Sequence, residues 1–415
     1  MNTKRFLLCS TLFAAFVFLL SNRGVAQSGT RFLDPVFNEV VTTEAVPFSS
    51  AIREGETTPT TLYLDFYEPE GDTMAARPLV ITVFGGAFVT GSRDYVDMVA
   101  YCTRLANLGY AAASIDYRLL SWMQLSESAL MRDAYMAAQD VSSAIRFFKL
   151  HNEDYRIDPD RIFLLGNSAG SIAILAEMFI GEEERPEQTF TEHDLGTMHS
   201  AGFEEYAGIS PQVAGAIPHW GGVNALDVID VEEYTPICMI HGTEDLTVPF
   251  DSGYCFSNFS LPYMPYMYGS HAIASHLESM GVTDFEFHPF EGEEHAFYYN
   301  ATYQLDEEKF GWCFNITRDF LWAHLGWPTS TQEATMQEVT LYPNPVTASI
   351  VFHGDGLLKN GPYQLQVLDV SGREMANVLV SSPHFSIDVS GWPSGVYVAR
   401  FGQNDNNSCR KFVKR

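Results

Sequence analysis

Positive charge is what this chain has least of: 24 Lys and Arg stand against 52 Asp and Glu, a net charge of −28. Binding to nucleic acid draws on clustered Lys and Arg that release counterions from phosphate, so a nucleic-acid partner is excluded. The acidic exterior serves solubility. Long apolar runs are also scarce. The N-terminal run from Phe6 to Leu20 covers about 15 residues, short of the roughly 20 that span a bilayer. With Lys4 and Arg5 before it and Gly24 and Ala26 after it, the run has the pattern of a cleaved export signal over residues 1–26. No transmembrane anchor is then expected after cleavage, and the mature protein is placed at the cell surface or outside it.

Cysteine is sparse, at 6 residues. Cys9 lies within the signal, and Leu7, Leu8 and Ser10 around it do not form a lipoprotein site. Cys102, Cys238, Cys255, Cys313 and Cys409 remain, an odd set that leaves one thiol free or paired with another chain. A Cys255 to Cys313 bridge is the pairing expected, although spacing does not set connectivity. Cys238, in an apolar run, is expected to be buried and inert. His193, His199, His219, His241 and His271 lack a metal-ligand spacing and no His-Glu-x-x-His occurs, so no catalytic metal is expected.

What is present is length and pattern. A chain of 415 residues exceeds the usual single core. From Leu62 to about Leu325, short apolar runs alternate with longer amphipathic stretches, which predicts strands joined through helices into a mostly parallel sheet. The strands expected are Leu79 to Phe84, Ala111 to Ile115, Ile162 to Leu165, Val213 to Ile217, Ile237 to Ile240 and Phe285 to His288. Ala134, Ala138, Val141, Ile145 and Phe148 recur at helical spacing and predict a helix packed on that sheet, after which Asp158-Pro159-Asp160 turns the chain into the next strand. The polar stretch from Glu182 to Ala207 is too long for a tight connection and suits a cap over the site. Residues 326–338 read as a linker, and residues 339–415 as a small β-sandwich with strands Tyr363 to Val370, Phe385 to Val389, Gly395 to Phe401 and Lys411 to Val413. Residues 27–325 form the first folded unit.

The chemistry centres on Ile162-Phe163-Leu164-Leu165-Gly166-Asn167-Ser168-Ala169-Gly170, an apolar strand, a Gly-x-Ser-x-Gly turn, and then a helical pattern through Phe179. A serine on such a turn stands clear of the sheet beside a helix N-terminus. Its hydroxyl is inert until a base takes its proton. His295, in the loop after Phe285 to His288, is the base expected, with His288 inside the strand the weaker candidate. Asp245, in the loop after Ile237 to Ile240, is the carboxylate expected to hold the imidazole tautomer, with Glu244 its competitor. Gly85-Gly86-Ala87 follows another strand and bares backbone N–H groups, so Gly86, Ala87 and Ala169 are the expected oxyanion donors. Each feature alone has a plain reading as turn, cap or packing. Four in this chain order point to acyl transfer.

These residues resemble the carboxylesterase and lipase branch of the α/β-hydrolase family, of the feruloyl or acetyl xylan esterase kind, over about residues 35–325. The match rests on Leu64 to Pro69, Asp116-Tyr117-Arg118-Leu119, Ile157 to Ile162, Gly166 to Gly170, His241-Gly242-Thr243 through Asp245, and Gly292 to His295. The family's microbial members open the oxyanion loop with His-Gly-Gly, where this chain has Phe84. The tail, with Leu341-Tyr342-Pro343-Asn344-Pro345, Val370 to Glu374, Trp392-Pro393-Ser394-Gly395-Val396-Tyr397 and a basic end Lys411 to Arg415, is similar to the C-terminal sorting domains of bacterial type IX secretion. The resemblance implies an α/β-hydrolase fold, a secreted serine esterase that needs no cofactor, a short acyl group or a polysaccharide-linked ester as substrate, and the type IX machinery as partner. A prolyl-oligopeptidase-type peptidase and a non-catalytic surface binding protein stay open as alternatives, and a carbohydrate-binding sandwich as the alternative for the tail. Trp220 and the cluster Tyr263 to Tyr268 are placed in a substrate pocket or in the core.

Overall fold

The computed structural model describes residues 30–120, 126–191, 193–229, 234–257, 264–300, 302–326, 340–353, 363–369, 373–382, 384–403 and 406–415. The proposed signal, nearly all of the proposed linker, Tyr263, and Val370-Ser371-Gly372 lie outside these residues. The chain divides into two units, Met1–Leu325 and Gly326–Arg415.

The first unit is built on an eight-stranded sheet. Its first two strands, β1 (Val40–Ile52) and β2 (Pro59–Pro69), pair antiparallel, and β2 also runs antiparallel to the strand Ala111–Ile115. The rest is parallel: β3 (Arg77–Val83), β4 (Ala111–Ile115), β5 (Ile157–Asn167) and β6 (Gly215–His219), then β8 (Ile237–Gly242) and β11 (Phe285–Phe290), with the short β7 (Gly222–Val223), β9 (Ser252–Tyr254) and β10 (Tyr266–Gly269) forming a separate small sheet. The spatial order is β1-β2-β4-β3-β5-β6-β8-β11. Strands β3, β4, β6 and β8 are buried at every position, as strands covered on both faces must be. The covering helices are α1 (Val96–Leu108), α2 (Glu127–Leu150), the one-turn α3 (Asn152–Tyr155), α4 (Ala169–Phe179), the one-turn α5 (Gln188–Thr191), α6 (Ser270–Ser279) and α7 (Glu307–Ala323). This mostly parallel, helix-flanked sheet is the α/β-hydrolase arrangement the sequence predicts. Among the described residues no helix is long and apolar enough to cross a membrane.

Several details depart from the sequence reading. Strand β1 is exposed along most of its length and shows no clean alternation, which hid it. Strand β5 begins at Ile157, so Asp158-Pro159-Asp160 is an irregular start to the strand, with its pairing shifted between Arg77 and Leu79. The expected Cys255 to Cys313 bridge is absent: Cys102, Cys238, Cys255 and Cys313 are all free and buried. Cys255 follows β9 and lines a cavity, whereas Cys313 sits on α7 among Tyr101 and Cys238, so the two thiols belong to different parts of the core. Burial pushes the Cys255 thiol up to about 12, consistent with an inert side chain.

The described part of the stretch from Glu182 to Ala207 borders the site at Pro186, which lines a cavity together with Ser168. It lies along α2, tied there by side chains that reach its carbonyl oxygens. Gln139 Nε2 donates to Leu195 and Thr197 (2.9 and 2.8 Å), and Arg146 donates to His199 and Ala201 (3.0 and 2.9 Å).

The second unit has two antiparallel sheets. One contains β12 (Thr340–Tyr342), β13 (Ser349–His353) and β16 (His384–Asp388); the other contains β14 (Tyr363–Asp369), β15 (Glu374–Val380), β17 (Gly395–Gln403) and β18 (Asn406–Lys414). Ile350 and Phe352 of the first sheet share one core with Leu365, Val367, Ala399 and Phe412 of the second, which makes the unit a sandwich.

Candidate active site

Ser168 sits where β5 ends and α4 begins, with φ 50° and ψ −119°. A non-glycine residue held there stores on the order of 1–3 kcal/mol of strain, which the surroundings must hold in place. Two glycines make the turn possible through close approach. A Cβ on Gly166 would come within 2.6 Å of the Gly170 backbone, and one on Gly170 within 2.1 Å of the Val83 carbonyl oxygen. The Ser168 N–H is anchored to the His219 carbonyl at 2.9 Å. The hydroxyl is thereby aimed out of the sheet.

His295 Nε2 lies 2.8 Å from Ser168 Oγ, and His295 Nδ1 lies 2.6 Å from Asp245 Oδ2. The Asp245 carboxylate is buried, and its Oδ1 accepts the N–H groups of Thr247 (2.8 Å) and Val248 (3.0 Å). Burial by itself raises its pKa, but hydrogen bonds from His241 and His295 outweigh that and hold it at about 2. Glu244, the competing acid, is exposed, and its N–H donates to the Glu293 carbonyl. His288 pairs with Glu286 on β11 at 2.8 Å and takes no part in the Ser168 constellation.

The loop after β3 has an unusual backbone. Gly86, Ala87 and Phe88 have φ of 128°, 55° and 61°, and the turn is closed by Val89 and Thr90 N–H groups donating to the Gly86 carbonyl at 3.1 Å. A Cβ on Gly86 would fall 2.0 Å from the Thr90 carbonyl oxygen. Gly86 and Ala87 border the same cleft as Ser168, and Ala169 opens α4, where an N–H has no partner within the helix. Phe84, in place of the histidine of microbial relatives, stacks on Tyr117 with ring centroids 4.3 Å apart, and the Tyr117 hydroxyl donates to the Phe84 carbonyl at 3.1 Å. This aromatic clamp braces the loop.

Sequence reasoning passed over two groups. His241, at the end of β8, places Nε2 3.1 Å from Asp245 Oδ2 and Nδ1 2.9 Å from Ser270 Oγ; the signal was its spacing of four residues before Asp245. The other is a buried cluster behind Ser168, in which Asn167 Nδ2 and the Tyr298 hydroxyl both donate to Asp97 Oδ2, at 2.5 and 2.8 Å. Burial raises the Asp97 pKa, against the hydrogen bonds it accepts from Tyr299 and Tyr298. No local pattern joins residues this far apart in the chain.

Ser168 stands between two cavities. One is lined by Tyr95, Trp220, His295, Tyr299 and Tyr303; the other is lined mostly by apolar residues, from α2 and α4 and from the segments that carry Phe88, Val223, Val248 and Met267. Trp220 borders the first cavity but is fully buried, its ring against Tyr298 and Phe297, so it is mainly core. Of the Tyr263 to Tyr268 cluster, Pro265 and Met267 line the second cavity while Tyr266 is exposed. Among the described residues, Cys238, Glu286 and His288 bring metal-ligand atoms within 4.8 Å of one another.

The BD-FAE family model matches residues 64–207, and the model described as Secretion system C-terminal sorting domain matches residues 340–415. A Probable isoprenylcysteine alpha-carbonyl methylesterase of Arabidopsis thaliana is 27% identical over 233 residues, covering 47% of this chain and 44% of the relative. Its namesake in Oryza sativa is 30% identical over 168 residues, covering 40% and 33%. The chain therefore spans less than half the length of these curated relatives. Among solved structures, Thermogutta terrifontis esterase 2 phosphorylated by paraoxon is similar at 22% identity and a TM-score of 0.45, covering 66% of this chain and 94% of that one.

Proposed function

From an α/β-hydrolase domain of the esterase and lipase kind joined to a type IX sorting domain, we propose a secreted serine carboxylesterase that works through an acyl-enzyme. The observation that carries this reading is the His295 imidazole, hydrogen-bonded on one side to Ser168 Oγ and on the other to Asp245. Ser168 Oγ attacks the ester carbonyl carbon while His295 Nε2 takes its proton. Asp245 holds Nδ1–H and stabilises the imidazolium that forms. The carbonyl oxygen becomes an oxyanion that accepts hydrogen bonds from the N–H groups of Gly86, Ala87 and Ala169, each such donor contributing on the order of 3 kcal/mol. Collapse breaks the bond to the alcohol, whose oxygen receives the proton from His295. Water, deprotonated by the same imidazole, then releases the acid, and no cofactor enters. The export-signal pattern of residues 1–26 and the sorting domain support export through the type IX machinery to the cell surface or medium.

The test is hydrolysis of p-nitrophenyl acetate by the purified chain, together with labelling of the protein by a fluorophosphonate. Both activity and labelling are expected, and both are expected to vanish in Ser168→Ala. A chain that is folded yet neither labels nor hydrolyses esters is not an esterase. One that cleaves a dipeptidyl anilide in preference to esters is a peptidase.

A further inference from the structure

We propose that the apolar cavity beside Ser168 is an acyl groove for an unbranched aliphatic chain of octanoyl size, which makes medium-chain esters the preferred substrates. The inference rests on the serine-esterase reading above and extends it to the substrate class. The two cavities at Ser168 are not equivalent, because only one of them is lined by His295. The imidazole must hand its proton to the departing oxygen, so the alcohol occupies the cleft that His295 lines. The other substituent of the carbonyl carbon then points into the second cavity. Acylation joins Ser168 Oγ to that carbon, breaks its bond to the alcohol oxygen and leaves the chain in the groove.

The groove has the shape and chemistry of such a chain. Ala169, Ile172 and Ala176 recur along one face of α4, Ile180 follows at its C-cap, and all four line the groove. At 1.5 Å per residue this stripe extends about 16 Å from the nucleophile, longer than an extended octanoyl chain. Leu130, Met131 and Ala134 of α2 form the facing wall. Among its described lining residues none carries a charge, and Ser168 is the nucleophile itself. Tyr135 turns its hydroxyl out to the Gly196 carbonyl at 3.3 Å, leaving its ring as apolar wall. The Asn224 amide is the only other strongly polar side chain there. A feruloyl group would bury a phenol and a methoxy oxygen with few partners, at a cost of about 1–3 kcal/mol for each unpaired group. An acetyl group would leave the groove empty. The groove thus favours a longer aliphatic acyl group over the short one expected from the sequence.

The experiment compares kcat/KM of the purified full-length chain on p-nitrophenyl acetate, p-nitrophenyl octanoate and methyl ferulate, and repeats the first two with Ala134→Phe, which fills the groove from α2. Each methylene taken up by an apolar pocket contributes up to about fourfold in binding. Octanoate is expected to exceed acetate by about tenfold or more, and the octanoate-to-acetate ratio to fall about tenfold in Ala134→Phe. Acetate or ferulate as the best substrate overturns the inference, as does a ratio that Ala134→Phe leaves unchanged. The parent's own chain-length profile decides the matter if that variant does not fold. Acetate hydrolysis with no gain on octanoate sinks the groove alone, whereas loss of all ester hydrolysis and fluorophosphonate labelling sinks the esterase reading beneath it.

Discussion

His241 and Asp245 face each other across the loop after β8, with Nε2 3.1 Å from the same carboxylate oxygen that receives His295 Nδ1. The carboxylate thus serves two imidazoles. Its pKa of about 2 against 3.8 unperturbed corresponds to about 2 kcal/mol of stability. A depressed carboxylate contributes fully above pH 3.8 and loses its contribution as pH falls through about 2. Replacing His241 with Leu removes one of the two hydrogen bonds, so the acid unfolding midpoint should move up in pH and stability at neutral pH should fall. Circular dichroism during acid titration measures this, and coincident curves for parent and variant would contradict it.

Asp245 and Glu244 are neighbours in sequence, yet only the first is buried against an imidazole. Asp245→Asn should lower kcat on p-nitrophenyl acetate about a thousandfold or more, because the amide favours the wrong tautomer of His295. Glu244→Gln should leave kcat within about twofold, as exposed substitutions generally do. If the larger effect falls on Glu244, the assignment of the acid is wrong.

Tyr117→Phe deletes the hydroxyl that donates to the Phe84 carbonyl but keeps the stacked ring. One such hydrogen bond contributes about 1 kcal/mol, so kcat should drop about fivefold as the oxyanion loop loosens. KM should stay nearly constant, since the role proposed for the loop's N–H groups is to donate to the oxyanion rather than to bind the ground state. A rise in KM at constant kcat would place the clamp in substrate binding instead.

Glu177 on α4 is buried, with Oε1 lacking a partner among the described residues. Burial pushes its pKa from 4.5 up to about 8, against the lowering effects of Ser142, Arg146 and Lys149. The folded protein holds this proton where the unfolded chain has lost it, so stability declines as pH climbs from 4.5 through 8. Glu177→Gln abolishes that decline. The variant should melt above the parent at pH 8, by about 2–4 °C for each kcal/mol recovered. Melting scans at pH 5 and 8 check this, and an equal difference at both pH values would rule out titration as the cause.

Much of the candidate site was legible because the chemistry proposed for it dictates a local sequence. A serine exposed on a strand-to-helix turn needs small neighbours, and the contacts a Cβ would make at Gly166 and Gly170 show why no other residue fits there. The loops carrying Asp245 and His295 were legible as well, since each follows an apolar run that had to be a strand. The expected helix through Ala134 and Phe148 is α2, because a face buried against a sheet must repeat at helical spacing. Strand β1 escaped notice because solvent takes most of its side chains and no alternation survives.

From sequence alone came the parallel sheet, the turn at Ser168, the loops that bear the imidazole and the carboxylate, and the change of composition at the second unit, all of which are written in local pattern. Tertiary structure alone decided the rest. It buried Asp245 and left Glu244 exposed, joined His241 to Asp245, kept Cys255 and Cys313 apart, laid Glu182 to Ala207 along α2, and divided the space at Ser168 into two unlike cavities. Those outcomes depend on which distant side chains share a volume and exclude water from it, and that is a property of packing rather than of any stretch of chain.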